Sequence, residues 1–328
     1  MLIFVGRWQS GIAREEHRNS AENAVERQQK CLYYRSHPSQ HARYWQLVMS
    51  AITGAIPGEL PRLVLDCWML SHPGYGRENN EDAIRCWLPE SGKQSSMWDL
   101  LALVADGIGG HSSGEVASGI AAETILRLAN ELDDSPSEVL RRSFTAANAA
   151  IIERGRGDPA CVGMGTTCTL LALSAGALFL AHIGDSRAYF LRDGRLRQLS
   201  EDDSLMAQMV RRGLLNEKEA ARSRDRHILL HALGTEEIPA LTVWQEGLPV
   251  QGGDAFLLCS DGLTNFVDDS DIASAIAAMA ARDACNALCE AALKAGGTDN
   301  ISLGVFKVAA DTSATDSATS CLGAALSQ

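Results

Sequence analysis

Four aspartates of this chain stand in one kind of setting. Asp106 follows the apolar run Leu101–Val104 and precedes glycines at 107, 109 and 110, while Asp185 lies in Gly184-Asp185-Ser186 after Ala177–Ile183. Asp261 lies in Ser260-Asp261-Gly262 after Ala255–Cys259, and Asp299 lies in Thr298-Asp299-Asn300 just before Ile301–Val308. Each reads as a carboxylate at the end of a buried strand. One Asp-Gly of this kind would be an ordinary turn cap. Four of them gathered together would repel one another and take up protons unless cations lay between them. Donors that are all oxygen, with no histidine or cysteine, select Mg²⁺ or Mn²⁺. Two such ions about 3.5–4 Å apart can bridge a water and lower its pKa, which makes a hydroxide nucleophile for attack on a phosphoester.

The stretch around Asp106, Val104–Ser118, runs from a strand through the glycines into a helix. A backbone stripped of side chains leaves room for an ion and a phosphate beside the main chain. Ser112 and Glu115 have the spacing of a capping box for that helix.

The elements that must hold these residues follow from the flanking pattern. Leu63–Trp68 reads as a strand, Ser71–Gly74 as a turn, and Arg77 to Asp82 as a polar lead into a second strand over Ala83–Leu88. Glu115–Leu132 has helical apolar spacing, and a second helix starts with Ser135 as cap and Pro136 at its first position, reaching about Arg154. Thr166–Leu173, Ala177–Ile183 and Arg187–Leu191 read as strands, the last closing on Asp193-Gly194. Such short connections imply antiparallel pairing. Ser200 to about Arg226 is polar and irregular, with basic residues at 211, 212, 222, 224 and 226, and reads as short helices in a mobile flap. Two further helices, Asp269–Ala281 and Asp283–Ala295, end at Gly296-Gly297.

Composition narrows the function classes. The chain has 328 residues, 46% of them hydrophobic and 5% aromatic, which suits one catalytic-sized domain plus additions. A net charge of −12 speaks against nucleic acid as a partner, because phosphate-backbone binding needs basic patches. Residues 1–62 are mildly basic, with eight Lys and Arg against five Asp and Glu, and the remainder carries 21 against 36. They read as an N-terminal extension of unknown role, joined at Pro57–Pro61, and the Ser/Thr/Ala-rich stretch from 309 to 328 reads as a disordered tail. Nine cysteines without a Cys-x-x-Cys pair fit neither a disulfide framework nor a zinc site, and point to reduced residues in a cytoplasm. Cys285 and Cys289, one helical turn apart, are expected to face the core. No signal peptide is read at the N-terminus, and no membrane span is expected. The longest apolar candidate, Leu170–Ile183, is broken by Ser174-Ala175-Gly176.

The order of the motifs resembles a known family. Asn79-Asn80-Glu81-Asp82, Ala105-Asp106-Gly107-Ile108-Gly109-Gly110-His111, Gly165-Thr166-Thr167, Gly184-Asp185-Ser186-Arg187, Ser260-Asp261-Gly262-Leu263 and Asp299-Asn300 occur in the sequence of the metal-dependent protein phosphatases of type 2C, over about Leu63 to Val308. The chain is similar to the bacterial members. The resemblance implies an α+β fold, a four-layer α-β-β-α sandwich of two antiparallel sheets flanked by antiparallel helix pairs. The element order above is compatible with that fold without singling it out.

Roles carried over by the resemblance fall on particular residues. Asp106 would bridge two metal ions, Mn²⁺ or Mg²⁺, with the Gly107 carbonyl as a further ligand. Asp261 and Asp299 would hold the first ion, and Glu81 and Asp82 would bind or orient waters near the second. Asp185 would serve a third, weaker ion, and Arg77 would clamp the phosphate. Water would attack in line, without a phosphoenzyme. The histidine that some eukaryotic members use as general acid falls on Ile108, which carries no proton, and His111 reads as a loop residue without a proton role. The flap opens Glu201-Asp202-Asp203-Ser204 where many relatives have Asp-His-Ser, which leaves substrate choice open. The expected activity is that of a cytoplasmic serine/threonine protein phosphatase opposing a bacterial kinase, with phosphoproteins as partners and neither nucleic acid nor membrane. The alternative is a non-catalytic phosphoprotein-binding or regulatory module on the same fold. A nucleotide-binding reading of the glycines fails for want of Gly-Lys-Ser/Thr or a six-residue glycine fingerprint.

Overall fold

The structure is a computed structural model that describes residues 64–89, 97–109 and 113–309. The N-terminal extension, the tail beyond Ala309, Gly110, His111 and the Ser112 half of the capping box lie outside the described residues. In chain order the elements are β1 (Leu65–His72), β2 (Asp82–Trp87), β3 (Leu100–Ile108), α1 (Ser113–Glu131), α2 (Pro136–Gly157), a 3₁₀ turn (Pro159–Cys161), β4 (Gly165–Thr166), β5 (Cys168–Ser174), β6 (Ala177–Ile183), β7 (Arg187–Arg192) and β8 (Arg195–Gln198). They continue as α3 (Leu205–Arg211), α4 (Glu217–Arg222), β9 (Thr242–Val243), β10 (Leu248–Pro249), β11 (Ala255–Cys259), α5 (Asp261–Thr264), α6 (Asp269–Ala278), α7 (Ala281–Lys294) and β12 (Ile301–Val308).

Two sheets result. One runs β1-β12-β11-β7-β8; the other runs β10-β6-β5-β3-β2, with β4 added on β3 and β9 on β6. The paired strands in both are antiparallel. The central strands read as unbroken apolar runs because both of their faces are buried. Along β3, Leu101, Leu103 and Ala105 pack with Ile125, Leu140 and Phe144 of α1 and α2. The alternate residues Leu100, Ala102 and Val104 meet Phe256, Leu258 and Phe306 of the other sheet. On the far side, Leu257, Leu303 and Val305 pack against Ile272, Ile276, Cys285 and Leu288 of α6 and α7. Three apolar interlayers thus separate four layers, the expected α-β-β-α sandwich. Cys285 and Cys289 face the core, as their spacing predicts.

Local chemistry accounts for the tight connections. Ala175 and Gly176 have φ of 49° and 76°, and Asp193 and Gly194 have 52° and 72°. Two consecutive positive φ values match the right-handed twist of the flanking strands, so both pairs close hairpins.

Several boundaries differ from the expectation. β1 continues through Ser71 and His72 because β12 pairs with it as far as His72↔Ile301, so the turn falls later than the sequence suggested. The strand predicted from Thr166 splits: Thr166 pairs with β3 as part of β4, and β5 begins at Cys168. Ser135 takes the cap position of α2, but its side chain makes no capping hydrogen bond. The helices over 269–295 break at Met279-Ala280, one turn short of the predicted end of the first. The flap does hold two short helices, α3 and α4, as its composition suggests. Among the described residues no helix is long and apolar enough to cross a membrane.

Candidate metal centre

Asp106 does not end its strand. β3 runs two residues further, where Gly107 and Ile108 leave β2 and pair with Thr166 and Gly165. The carboxylate therefore sits where β3 changes partners, opposite Asp82 across the β2–β3 ladder. Its backbone is held tightly: the Asp106 N–H donates to Thr167 Oγ1 at 2.9 Å, and the Asp106 carbonyl accepts from Thr167 N–H and from Thr166 Oγ1, each at 2.9 Å. Gly107 N–H donates to the Glu81 carbonyl at 3.2 Å. A side chain at Gly107 would place Cβ 2.2 Å from the Gly114 carbonyl oxygen, so only glycine lets β3 and the start of α1 come together there.

The loop between β1 and β2 is fastened from the opposite end of the chain. Asn300 accepts from Glu81 N–H at 2.8 Å and donates to the carbonyls of Pro73 and Asn79 at 2.9 and 3.0 Å. Gly74 and Gly76 pass so close to Asp299 and Thr298 that a Cβ on either would fall within 2.3 Å of a backbone carbonyl oxygen. This fastening carries Arg77 to Asp299, which it meets through Nε and Nη2, both at 2.9 Å.

The acids face one another electrostatically. Burial pushes the Asp82 carboxyl up to about 7, with Asp261 and Asp299 adding to the rise and a 2.7 Å hydrogen bond from Ser260 opposing it. Asp106 is held well above the ordinary carboxylate range, first by burial and then by Asp82, Asp261, Asp185 and Asp299. Asp185 is raised by burial and then by Asp261 and Asp202, against the pull of Arg187. Asp261 is raised by burial and by Asp299, against a hydrogen bond from Asn265 and the nearby His227. The four aspartates singled out in the sequence, with Asp82, thus share one electrostatic neighbourhood. Glu81 adjoins Asp82, and its carboxyl end lies beside Gly114.

These donors fit a hard divalent cation. They are all oxygen, and Oδ1 of Asp82 and of Asp261 is buried without a hydrogen-bond partner. Such an orphaned oxygen is costly in a neutral interior and is satisfied by a metal. Among the described residues no three acidic, imidazole or thiol groups already form one tight shell. Asp299 is engaged by Arg77, and single oxygens of Asp82 and Asp261 are engaged by Ser260 and Asn265. That suits ions of the Mg²⁺ kind, which keep several waters and take few carboxylates directly.

The acids that open the flap have a different place. Asp202 accepts from Arg187, with Nε at 3.0 Å and Nη2 at 2.7 Å, and from Gln198 at 2.9 Å. Asp203 accepts from Gly184 N–H at 3.2 Å, while its own N–H donates to the Gly184 carbonyl at 2.7 Å. Both are anchors between the flap base and the turn that bears Asp185.

Several residues escaped the sequence reading. Thr167, Ser260 and Asn300 lay inside the quoted motifs, yet their hydrogen bonds link segments 40 or more residues apart. His227 is a turn residue on the flap with no motif around it, and it reaches the field of Asp261 only through the fold. Ile108 is partly exposed beside the site and brings no proton to it.

The comparison with known families decides what this arrangement belongs to. Residues 75–295 match the family model described as protein phosphatase 2C. The chain belongs to the protein phosphatase 2C family. Its described residues form a protein-serine/threonine phosphatase domain of that family. Similar proteins include the serine/threonine protein phosphatase PstP of Mycobacterium tuberculosis, 38% identical over 251 residues that make up 75% of this chain and 45% of PstP. The protein phosphatase PhpP of Streptococcus pneumoniae is 30% identical over 73% of this chain and 96% of its own length. The chain thus spans less than half of PstP and nearly all of PhpP. Among solved structures, the catalytic domain of PstP in complex with two manganese ions superposes with a TM-score of 0.65 at 34% identity, covering 75% of this chain and 99% of that one.

Proposed function

We propose that this protein hydrolyses phosphoserine and phosphothreonine in other proteins, using residues 63–308 as its catalytic domain and two divalent ions held by the acid cluster. The observation that carries the reading is the half-buried group Asp82, Asp106 and Asp261, in which Oδ1 of Asp82 and of Asp261 is buried without a hydrogen-bond partner. In this assignment Asp106, with the Gly107 carbonyl as a further ligand, would serve both ions, Asp261 and Asp299 would hold the first, and Glu81 and Asp82 would bind or orient waters near the second. Asp185 serves a third, weaker ion. Mn²⁺ or Mg²⁺, when bound, lowers the pKa of water and offsets the charge of the phosphoryl group. A water attacks phosphorus in line and the serine or threonine oxygen departs, with no covalent bond to the chain.

Arg77 binds the phosphoryl oxygens. Its pair with Asp299 uses two of the five guanidinium N–H groups and fixes the plane of the fork, which leaves three for phosphate. The side chain is 51% exposed, so a protein-borne phosphate can reach it. A non-catalytic phosphoprotein trap would have use for Arg77 but none for a set of mutually repelling, half-buried acids. We further place the enzyme in the cytoplasm, opposite a serine/threonine kinase. Cys67, Cys86, Cys161, Cys168, Cys259, Cys285 and Cys289 are all free thiols, as a reducing compartment leaves them.

The deciding experiment measures hydrolysis of a small aryl phosphate and of a phosphothreonine peptide by the full chain, first with EDTA and then with added Mn²⁺ or Mg²⁺, beside Asp261→Asn. Ion-dependent turnover that disappears in the variant is the expected result. Absence of turnover by the wild type with either ion overturns the assignment.

A further inference from the structure

A buried polar chain runs behind the metal centre. Asp106 N–H donates to Thr167 Oγ1, which lies 2.7 Å from Ser186 Oγ, immediately after Asp185. The Ser186 carbonyl is 2.8 Å from Thr169 Oγ1, and the same hydroxyl is 2.8 Å from His182 Nδ1. His182 Nε2 then lies 2.9 Å from the carbonyl of Glu201, the first residue of the flap base. Thr167, Thr169, Ser186 and His182 are each at most 1% exposed. Thus the strand of the central acid, the turn of Asp185 and the flap are joined by one continuous string of hydrogen bonds.

The proton count makes the histidine specific. A carbonyl only accepts, so Nε2 must carry a proton toward Glu201. Burial lowers the ring's pKa below its ordinary value, against the pull of Asp203, the Glu201 carbonyl and Asp202. Thr169 gives its one hydroxyl proton to the Ser186 carbonyl, so its oxygen faces Nδ1 with a lone pair, 2.8 Å away. A rigid ring with a polar nitrogen on each of two edges fits this place; an apolar ring of similar size would leave the Thr169 oxygen and the Glu201 carbonyl without that partner in a dry interior.

We propose that His182 is a positioning residue, which holds the flap base and the Asp185 turn in one fixed relation to Asp106. Neighbouring contacts act in the same sense: Gly184 and Asp203 exchange hydrogen bonds, and Leu230 N–H returns from the far end of the flap to the Asp203 carbonyl at 2.7 Å. With His182 replaced, those contacts lose their backing while the acids themselves stay in place. The kinetic part of this inference rests on the phosphatase reading; its structural part does not.

The test follows amide hydrogen exchange and kinetics of the full chain for wild type, His182→Phe and His182→Gln. In His182→Phe the amides of Gly184, Asp203 and Leu230 should exchange about tenfold faster, the equivalent of one buried hydrogen bond, while those of α1 and α2 keep their rates. KM for a phosphothreonine peptide should rise by a similar roughly tenfold factor while kcat on a small aryl phosphate stays within about twofold, and His182→Gln should restore part of both. Unchanged exchange at the three amides overturns the proposal, as does a uniform acceleration that includes α1 and α2. Should His182→Phe not fold, Thr169→Val must accelerate the same three amides. If the wild type turns nothing over, the phosphatase reading falls and the exchange data still decide the role of His182.

Discussion

Aspartates largely withdrawn from solvent occur in two regions of this molecule, and each region treats them differently. On the side of β7, Asp202 takes the guanidinium of Arg187 through contacts of 2.7–3.0 Å, and Asp254, 1% exposed, takes that of Arg192 at 2.6 and 2.7 Å. At the candidate metal centre, Asp82, Asp106, Asp185 and Asp261 raise one another's pKa and none of them has an ion pair among the described residues, while Arg77 is given to Asp299. Partnered acids fasten the fold. The unpartnered ones are costly to fold and are kept only where a ligand supplies the missing charge. Withheld counter-charge, more than the presence of acids, therefore marks the site.

That contrast can be tested from both sides. Asp106→Asn should lower turnover at least about 10³-fold, about 4 kcal/mol of barrier. Because it also relieves like-charge crowding, it should leave the thermal midpoint in EDTA unchanged or raised. A lowered midpoint would mean that Asp106 is a structural acid after all. Arg187→Leu should do the reverse. Stripping Asp202 of its partner should cost about 3 kcal/mol of unfolding free energy, read by denaturant titration.

The pH response carries the next effect. In the metal-free protein the Asp82 carboxyl lies near 7, well above its value in an unfolded chain. The folded state therefore holds a proton that the unfolded state has lost between about pH 4 and 7, and stability falls as pH rises through that window. With that proton shared among the acids, the fall should be on the order of 2 kcal/mol, and it should vanish in Asp82→Asn or with Mn²⁺ added. Melting curves in EDTA from pH 5 to 8 check it, and a midpoint independent of pH would break the contrast. Arg77→Lys should have the smallest effect. It should lose about tenfold in kcat/KM on a phosphopeptide, because an ammonium cannot reproduce the planar fork, with no measurable change in the midpoint.

Much of the fold was legible in the residues. Continuous apolar runs such as Leu101–Val104 and Ala255–Cys259 announced buried strands, and Asp193-Gly194 announced a hairpin whose φ values the structure bears out. The one-turn spacing of Cys285 and Cys289 placed them in the core. Short edge pieces were not legible: β9, β10 and β4 are two residues each, and they are strands only because a neighbour pairs with them. The end of β3 was misplaced for the same reason, since Gly107 and Ile108 stay extended on account of Thr166 and Gly165, residues far along the chain.

By itself, then, the sequence determined most of the strands and helices and the cast of acids, because apolar runs, helical spacing and strand-end motifs are local properties that neighbouring residues express together. Tertiary structure alone decided which acids stay unpartnered. Asp299 meets Arg77 across 222 residues and Ser260 meets Asp82 across 178. The pairing of Asp202 with Arg187, and of His182 with Glu201, likewise comes from β6, β7 and the flap base meeting in space. Whether a carboxylate is an anchor or a ligand depends on the charge and hydrogen-bond donors within a few ångströms of it, and those are delivered by topology.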